Sequence, residues 1–180
     1  MNLPNKLTIA RVVMTALMVV FLLLNGPLWA WLAAALYIAA SVTDMADGRI
    51  ARKRHLVTNF GKFMDPLADK ILNYSVMVML IPERLVPTAA LVIILFREFL
   101  VSGIRLSAAE QGRVVAANIW GKLKTLLQDL SLGAILILRA VDVSFLETLA
   151  SILMWLCAVL TVVSGGVYLM DNKDVLKDAD

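Results

Sequence analysis

Four aspartates fall within one 26-residue stretch of the chain: Asp44, Asp47, Asp65 and Asp69, in the order D-x2-D-G-x2-A-R-x8-G-x3-D-x3-D. Carboxylate oxygens are hard donors. Four of them with no nearby Cys or His suit Mg²⁺, Mn²⁺ or Ca²⁺ better than zinc or copper. Such a set could hold two cations a few ångströms apart, the arrangement of many phosphoryl-transfer sites. Mg²⁺ commonly binds through a few carboxylates plus substrate phosphates. Arg52, just past the second aspartate, offers a fork of donors to a phosphate. For any single aspartate the plainer alternative is a salt bridge, with Arg52 or Lys70 near in sequence. That alternative explains the full spacing poorly, because both glycines and the Ala-Arg pair stand in register with the acids.

Helices must carry these groups. Asp44 and Asp47 are three apart and share one helical face, which Gly48 and Ala51 continue. Their small size lets a ligand or another backbone approach closely. Gly61, Asp65 and Asp69 follow at intervals of four and make a second stripe. Pro66 lies within it, so that helix either starts just before Pro66 or kinks there. On consecutive antiparallel helices the two stripes can converge across a short connection.

The rest of the chain is apolar. Its 180 residues are 61% hydrophobic with a mean hydropathy of +0.83, where a soluble domain would be about 45–50% apolar. An Asp at the centre of a spanning helix costs about 2.5–3.5 kcal/mol on insertion scales, so four clustered acids require a compensating cause. Six runs approach the roughly 20 residues that a bilayer core demands: 9–25, 28–47, 63–81, 86–106, 119–138 and 145–170. The expected fold is all-α, a polytopic membrane protein with a single bundle of six transmembrane helices and one domain over residues 1–180. No internal repeat is evident.

Lysine and arginine orient the bundle. Lys6 and Arg11 lie at the first span, and Arg49, Arg52, Lys53, Arg54 and Lys62 fill the second connection. Arg105, Arg113, Lys122 and Lys124 surround the fourth, and Lys173 and Lys177 lie in the tail, whereas the opposite loops hold only Arg84 and Arg139. Both termini and the aspartates should face the cytoplasm from a multi-pass position in the cytoplasmic (inner) membrane. The basic side suits anionic membrane lipids, and no nucleic-acid partner is expected. Residues 1–25 share features of a signal peptide, but the polar face of Asn5, Thr8 and Arg11 and the even span count favour its retention. Cys157 reads as a buried structural thiol, and His55 lacks partners for a zinc site. Trp29, Trp31 and Trp120 read as interfacial anchors. Gly165-Gly166 could allow tight helix packing, including between subunits.

Taken together, Asp44-x2-Asp47-Gly48-x2-Ala51-Arg52-x8-Gly61-x3-Asp65-x3-Asp69 resembles the signature of the CDP-alcohol phosphotransferases, with no position departing from it. The likeness covers nearly the whole chain, including P-N-K-L-T-I-A-R from Pro4 to Arg11. It implies an integral membrane enzyme that moves a phosphatidyl or similar group from a CDP-linked donor, such as CDP-diacylglycerol, to an alcohol with release of CMP. It further implies Asp44, Asp47 and Asp65 as ligands of two Mg²⁺ or Mn²⁺ ions, with Asp69 beside the metals as base and further ligand. Gly48, Ala51, Arg52 and Gly61 would line the CDP pocket, with Asn5 and Thr8 contributing. Family members are typically homodimers.

Two further stretches, R-E-F-L-V-S-G-I-R at 97–105 and G-K-L-K-T at 121–125, resemble the bacterial branch that takes glycerol 3-phosphate as acceptor. Arg97, Arg105, Lys122 and Lys124 would then hold the acceptor's phosphate. The plainer alternative pairs Arg97 with Glu98 or Asp129 and leaves Arg105, Lys122 and Lys124 to mark the cytoplasmic edge. Within the family, serine, inositol phosphate and phosphatidylglycerol are the competing acceptors. Outside it, a cation transporter would spread its acids through the membrane depth. A UbiA-type prenyltransferase would place its aspartate motifs on well-separated helices.

Overall fold

Gly26, with φ 123°, reverses the chain between two apolar helices in a conformation that side-chain-bearing residues rarely adopt. Pro27 then opens the next helix, where its missing N–H has no intrahelical partner to lose. Six helices follow one another in the computed structural model: α1 Leu3–Leu23, α2 Pro27–Lys53, α3 Asn59–Met79, α4 Thr88–Glu110, α5 Ile119–Val141 and α6 Leu146–Asp171. The structure describes residues 3–24, 26–53, 59–110 and 119–172, and the side chains of 3–4, 45–53, 59–60, 62–63 and 110 lie outside that description. All regular structure among the described residues is helical.

The helices outrun the apolar stretches that mark them. α1 starts at Leu3 rather than at residue 9, which places Asn5 and Thr8 on the helix. α2 continues past Asp47 to Lys53, so the whole D-x2-D-G-x2-A-R segment is helical. α3 starts at Asn59 and takes Pro66 into its interior. Hydropathy stops where charges begin, but a helix ladder does not.

α1 packs on α2 and α3, α2 on α5, α5 on α6, and α6 on α4. Small residues make the close approach of α2 feasible: Ala33, Ala34 and Ala40 are buried against Met18 and Leu22 of α1 and Leu132 and Leu136 of α5 in one continuous core. Polarity is distributed in reverse of a water-soluble bundle. Thr8, Arg11, Asn73, Arg97, Lys124 and Gln128 are buried, while Val13, Leu17, Val20, Val159, Val162 and Val163 are exposed. Two helices, Asn5–Leu23 and Leu146–Asp171, are long and apolar enough to cross a membrane. Trp29 turns partly inward onto Phe21, with ring centroids 5.4 Å apart, whereas Trp31 and Trp120 are exposed.

One polar network ties the central helices. Tyr37 of α2 donates its hydroxyl to Asn73 Oδ1 of α3 at 2.8 Å, with the Asp129 carbonyl of α5 at 3.3 Å. Asn73 in turn donates from Nδ2 to Asp129 Oδ1 at 2.8 Å. Cys157 is buried beside Ser131, its Sγ 3.7 Å from the serine hydroxyl. At the opposite end of the bundle Arg139 grips Glu83 with two bonds of 2.6 and 2.7 Å. The Tyr37→Phe variant keeps the ring and removes the donor, so it leaves a buried acceptor on Asn73. The expected loss is about 1–3 kcal/mol, measured as a lower unfolding temperature in detergent. An unchanged temperature would mean the network does not hold α2, α3 and α5 together.

Candidate active site

α1 acts as the template for the acids. Thr8, Arg11 and Thr15 recur at helical spacing on one buried face. Arg11 is wholly buried and places Nη1 2.6 Å from Asp44 Oδ1 of α2. Thr8 donates its hydroxyl to Asp65 Oδ1 of α3 at 2.5 Å. Thr15 donates to the Arg11 carbonyl at 2.8 Å and braces the turn that carries the arginine. One helix face therefore fixes two carboxylates from two other helices.

Asp44 and Asp65 lie within electrostatic reach of each other. Asp69 lies within electrostatic reach of Asp129, Asp44, Arg11 and Lys124. Asn5 and Gly61 are buried. Asp47, Gly48, Ala51 and Arg52 are carried on α2, but their side chains lie outside the described residues. His55 lies outside them altogether.

The donor set fits a hard divalent cation. It is all oxygen, and Asp44 and Asp65 are held by Arg11 and Thr8 through Oδ1. Among the described residues, no three His, Cys, Asp or Glu side chains complete a metal-binding group by themselves. Asp47, whose side chain is not among them, would be needed to add to the set.

A second feature adjoins Asp69. A polar cavity of about 100 Å³ opens between α3, α4 and α5, with Asp69, Lys70, Asn73, Glu98, Lys124 and Gln128 in its wall. Each water occupies about 30 Å³ in the liquid, so this space suits a small polar group and excludes a nucleotide. Arg97 Nη1 lies 2.8 Å from Glu98 Oε1, and Lys124 Nζ donates to the same oxygen. Lys70 Nζ lies 3.8 Å from Glu98 Oε2 and donates to Ser102 Oγ at 2.7 Å. A glycine on α6 makes room for this arrangement. A Cβ on Gly165 would come within 2.9 Å of Arg97 Cγ, so the close packing at Gly165 is against α4 of the same chain.

The structure thus brings two of the four basic residues expected from sequence together, Arg97 and Lys124, and buries both. Only Lys124 of the four lines the cavity, and Arg97 lies behind its wall, paired with Glu98. Arg105 sits over the ring of Tyr168, 5.4 Å from its centroid, and Lys122 is exposed. Arg97 pairs with Glu98, and Asp129 pairs with Asn73 instead. Glu98, Lys70 and Asn73 are additions that the sequence reading missed. Asn73 had a signal, since it continues the four-residue interval of Gly61, Asp65 and Asp69 by one step.

An all-helical fold that half-buries aspartates and buries paired basic residues around a small polar cavity suits charged ligands. The chain belongs to the CDP-alcohol phosphatidyltransferase family, whose model matches residues 1–163. Members of this family generally use divalent metal ions. A Bacillus subtilis protein named CDP-diacylglycerol–glycerol-3-phosphate 3-phosphatidyltransferase is 40% identical over 193 residues, covering 99% of each chain. Proteins of the same name from Rickettsia bellii and Rickettsia typhi are 41% and 42% identical over 169 residues, covering 93% of this chain and 93% and 94% of theirs.

Arg11 and a bound cation would counter the same carboxylates. The Arg11→Met variant should lose about 1–3 kcal/mol of stability in EDTA, because Asp44 is left beside Asp65 without its counter-charge. Mg²⁺ or Mn²⁺ should restore part of that loss, since a ligand of the folded state stabilises it. Thermal unfolding in detergent with and without metal checks this. A loss that neither metal relieves would remove Asp44 from the cation site.

Proposed function

We propose that this protein transfers the phosphatidyl group of CDP-diacylglycerol to glycerol 3-phosphate, giving phosphatidylglycerophosphate and CMP. One observation carries the reading beyond family membership: Asp69 and Lys124 line the same small cavity. A carboxylate that can act as base and a cation that can bind phosphate in the wall of one space match an acceptor that bears both a hydroxyl and a phosphate. The names of the relatives at about 40% identity support the same acceptor.

Asp44, Asp47, Asp65 and Asp69 would hold two divalent cations, Mg²⁺ or Mn²⁺, which when bound would offset the pyrophosphate charge and stabilise the departing phosphate. Gly48, Ala51, Arg52 and Gly61 would form the CDP pocket, with Asn5 and Thr8 at its α1 wall. Asp69 accepts the proton of the attacking hydroxyl as that oxygen bonds to phosphorus. Arg97 and Lys124 hold the acceptor's phosphate, and Lys70 reaches the same space. Arg105 and Lys122, outside the cavity wall, would draw the anion toward it.

The setting is membrane-bound. Six helices forming one domain over residues 1–180 would span the cytoplasmic membrane, with both termini and the active site on the cytoplasmic side. The exposed apolar faces and the buried polar interior support this. The donor's acyl chains then stay among membrane lipids while its nucleotide enters the polar centre. A homodimer, implied by the family resemblance, would use part of the outward apolar surface.

The test is CMP release from CDP-diacylglycerol by purified protein, with a panel of alcohols, with and without EDTA. EDTA-sensitive release with glycerol 3-phosphate alone is expected. Release with serine, inositol phosphate or phosphatidylglycerol instead would keep the transferase and overturn the acceptor. Asp69→Asn should abolish turnover while CDP binding persists, and full turnover would remove Asp69 from the chemistry. Gly165→Ala should push on Arg97 and raise the KM for glycerol 3-phosphate roughly tenfold with a smaller change in kcat. An unchanged KM would show that Arg97 does not touch the acceptor.

A further inference from the structure

Glu98 serves more positive charge than it can neutralise. Arg97 Nη1 and Lys124 Nζ both meet its Oε1, and Lys70 Nζ lies 3.8 Å from its Oε2. Three cations thus share one glutamate, so Glu98 alone does not offset their charge. Arg97 also keeps a buried Nε with no hydrogen-bond partner among the described residues. A buried donor left over is costly, so the group has capacity for another acceptor. Glu98 lines the polar cavity beside Lys124 and Lys70, with Asp69 in the same wall.

A phosphate monoester carries about −1.5 to −2 charges at neutral pH and three acceptor oxygens, more than the single carboxylate that these cations share. To reach Lys124 and Arg97 it must compete with Glu98 for the same donors. Building on the acceptor assignment above, we infer that Glu98 is a displaceable counterion. It holds Arg97, Lys124 and Lys70 together before the acceptor arrives, yields donors to the incoming phosphate, and takes them back as the phosphorylated product leaves. A neutral alcohol lacks the charge to displace it, so Glu98 also discriminates against acceptors without a phosphate. A structural salt bridge alone would have no such competition, because its removal could only loosen the cations.

The two roles predict opposite signs. Glu98→Gln keeps the side chain's shape and an oxygen acceptor but removes the competing charge. Inorganic phosphate, used as an inhibitor against glycerol 3-phosphate, should then bind roughly tenfold more tightly, as expected when a neighbouring like charge is removed from a half-buried site. The KM for glycerol 3-phosphate should fall with it, and kcat should fall because the product's phosphate is held. Glu98→Asp, shorter by one methylene, should loosen the grip on Lys124 and shift phosphate binding in the same direction by about twofold to threefold. It provides the test should the glutamine variant fail to fold, and retained CMP binding reports folding of either variant. Weaker or unchanged phosphate binding in a folded variant overturns the counterion role. If phosphate does not compete with glycerol 3-phosphate in the unaltered protein, the acceptor assignment fails and this proposal falls with it.

Discussion

The pairing of Arg11 with Asp44 is the contact on which the site depends. A fully buried guanidinium inside an apolar bundle is tolerable only with an anion against it, and Asp44 supplies that anion at 2.6 Å. The same helix face sends Thr8 to Asp65. α1 thereby sets the separation of α2 and α3 where their acids face one another. Like charges brought together in this way repel, and that repulsion makes the centre receptive to cations.

A second constraint governs the other half of the site. Arg97 and Lys124 are as deeply buried as the core around them, and Glu98 is the anion that permits it. Gly165 leaves the room that the Arg97 side chain occupies against α6. Asp69 lines the cavity and feels the charges of Asp129, Asp44, Arg11 and Lys124. The Tyr37–Asn73–Asp129 network lies one turn further along α3 and keeps the helices in register there. Under the proposed function, cations held by the acids would meet the donor's pyrophosphate, and the polar cavity with Asp69 in its wall would take the small phosphorylated alcohol.

Much of this was legible in the sequence because the acidic stripes obey helical spacing within single helices. Asp44 and Asp47 at an interval of three, and Gly61, Asp65 and Asp69 at intervals of four, define two faces without tertiary information. Six helices were legible from apolar runs, with errors at their ends. Apolarity fades at Asp44 and begins only after Lys62, yet α2 and α3 continue through those charges because the backbone ladder does not depend on side-chain polarity. The basic set was half legible. Arg97 and Lys124 share a partner only because α5 brings Lys124 to Glu98 of α4, and Arg105 faces Tyr168 of α6 instead. Nothing local distinguishes Arg105 from Arg97, since they lie eight apart on one helix. The Arg97–Glu98 pair was legible as a neighbour contact, but the approach of Lys124 and Lys70 to Glu98 and of Arg97 to Gly165 was not, because no spacing within one helix encodes a contact between two.

The central claim is that one small cavity presents the acceptor's hydroxyl to Asp69 and its phosphate to Lys124 and Arg97. An experimental structure of the protein with glycerol 3-phosphate and CMP bound tests it most directly. The account predicts the phosphate within hydrogen-bond distance of Lys124 Nζ and the free hydroxyl end turned toward Asp69, with Glu98 moved off at least one of its cations. A phosphate bound instead at Arg105 and Lys122, with the Glu98 cluster intact, would contradict it.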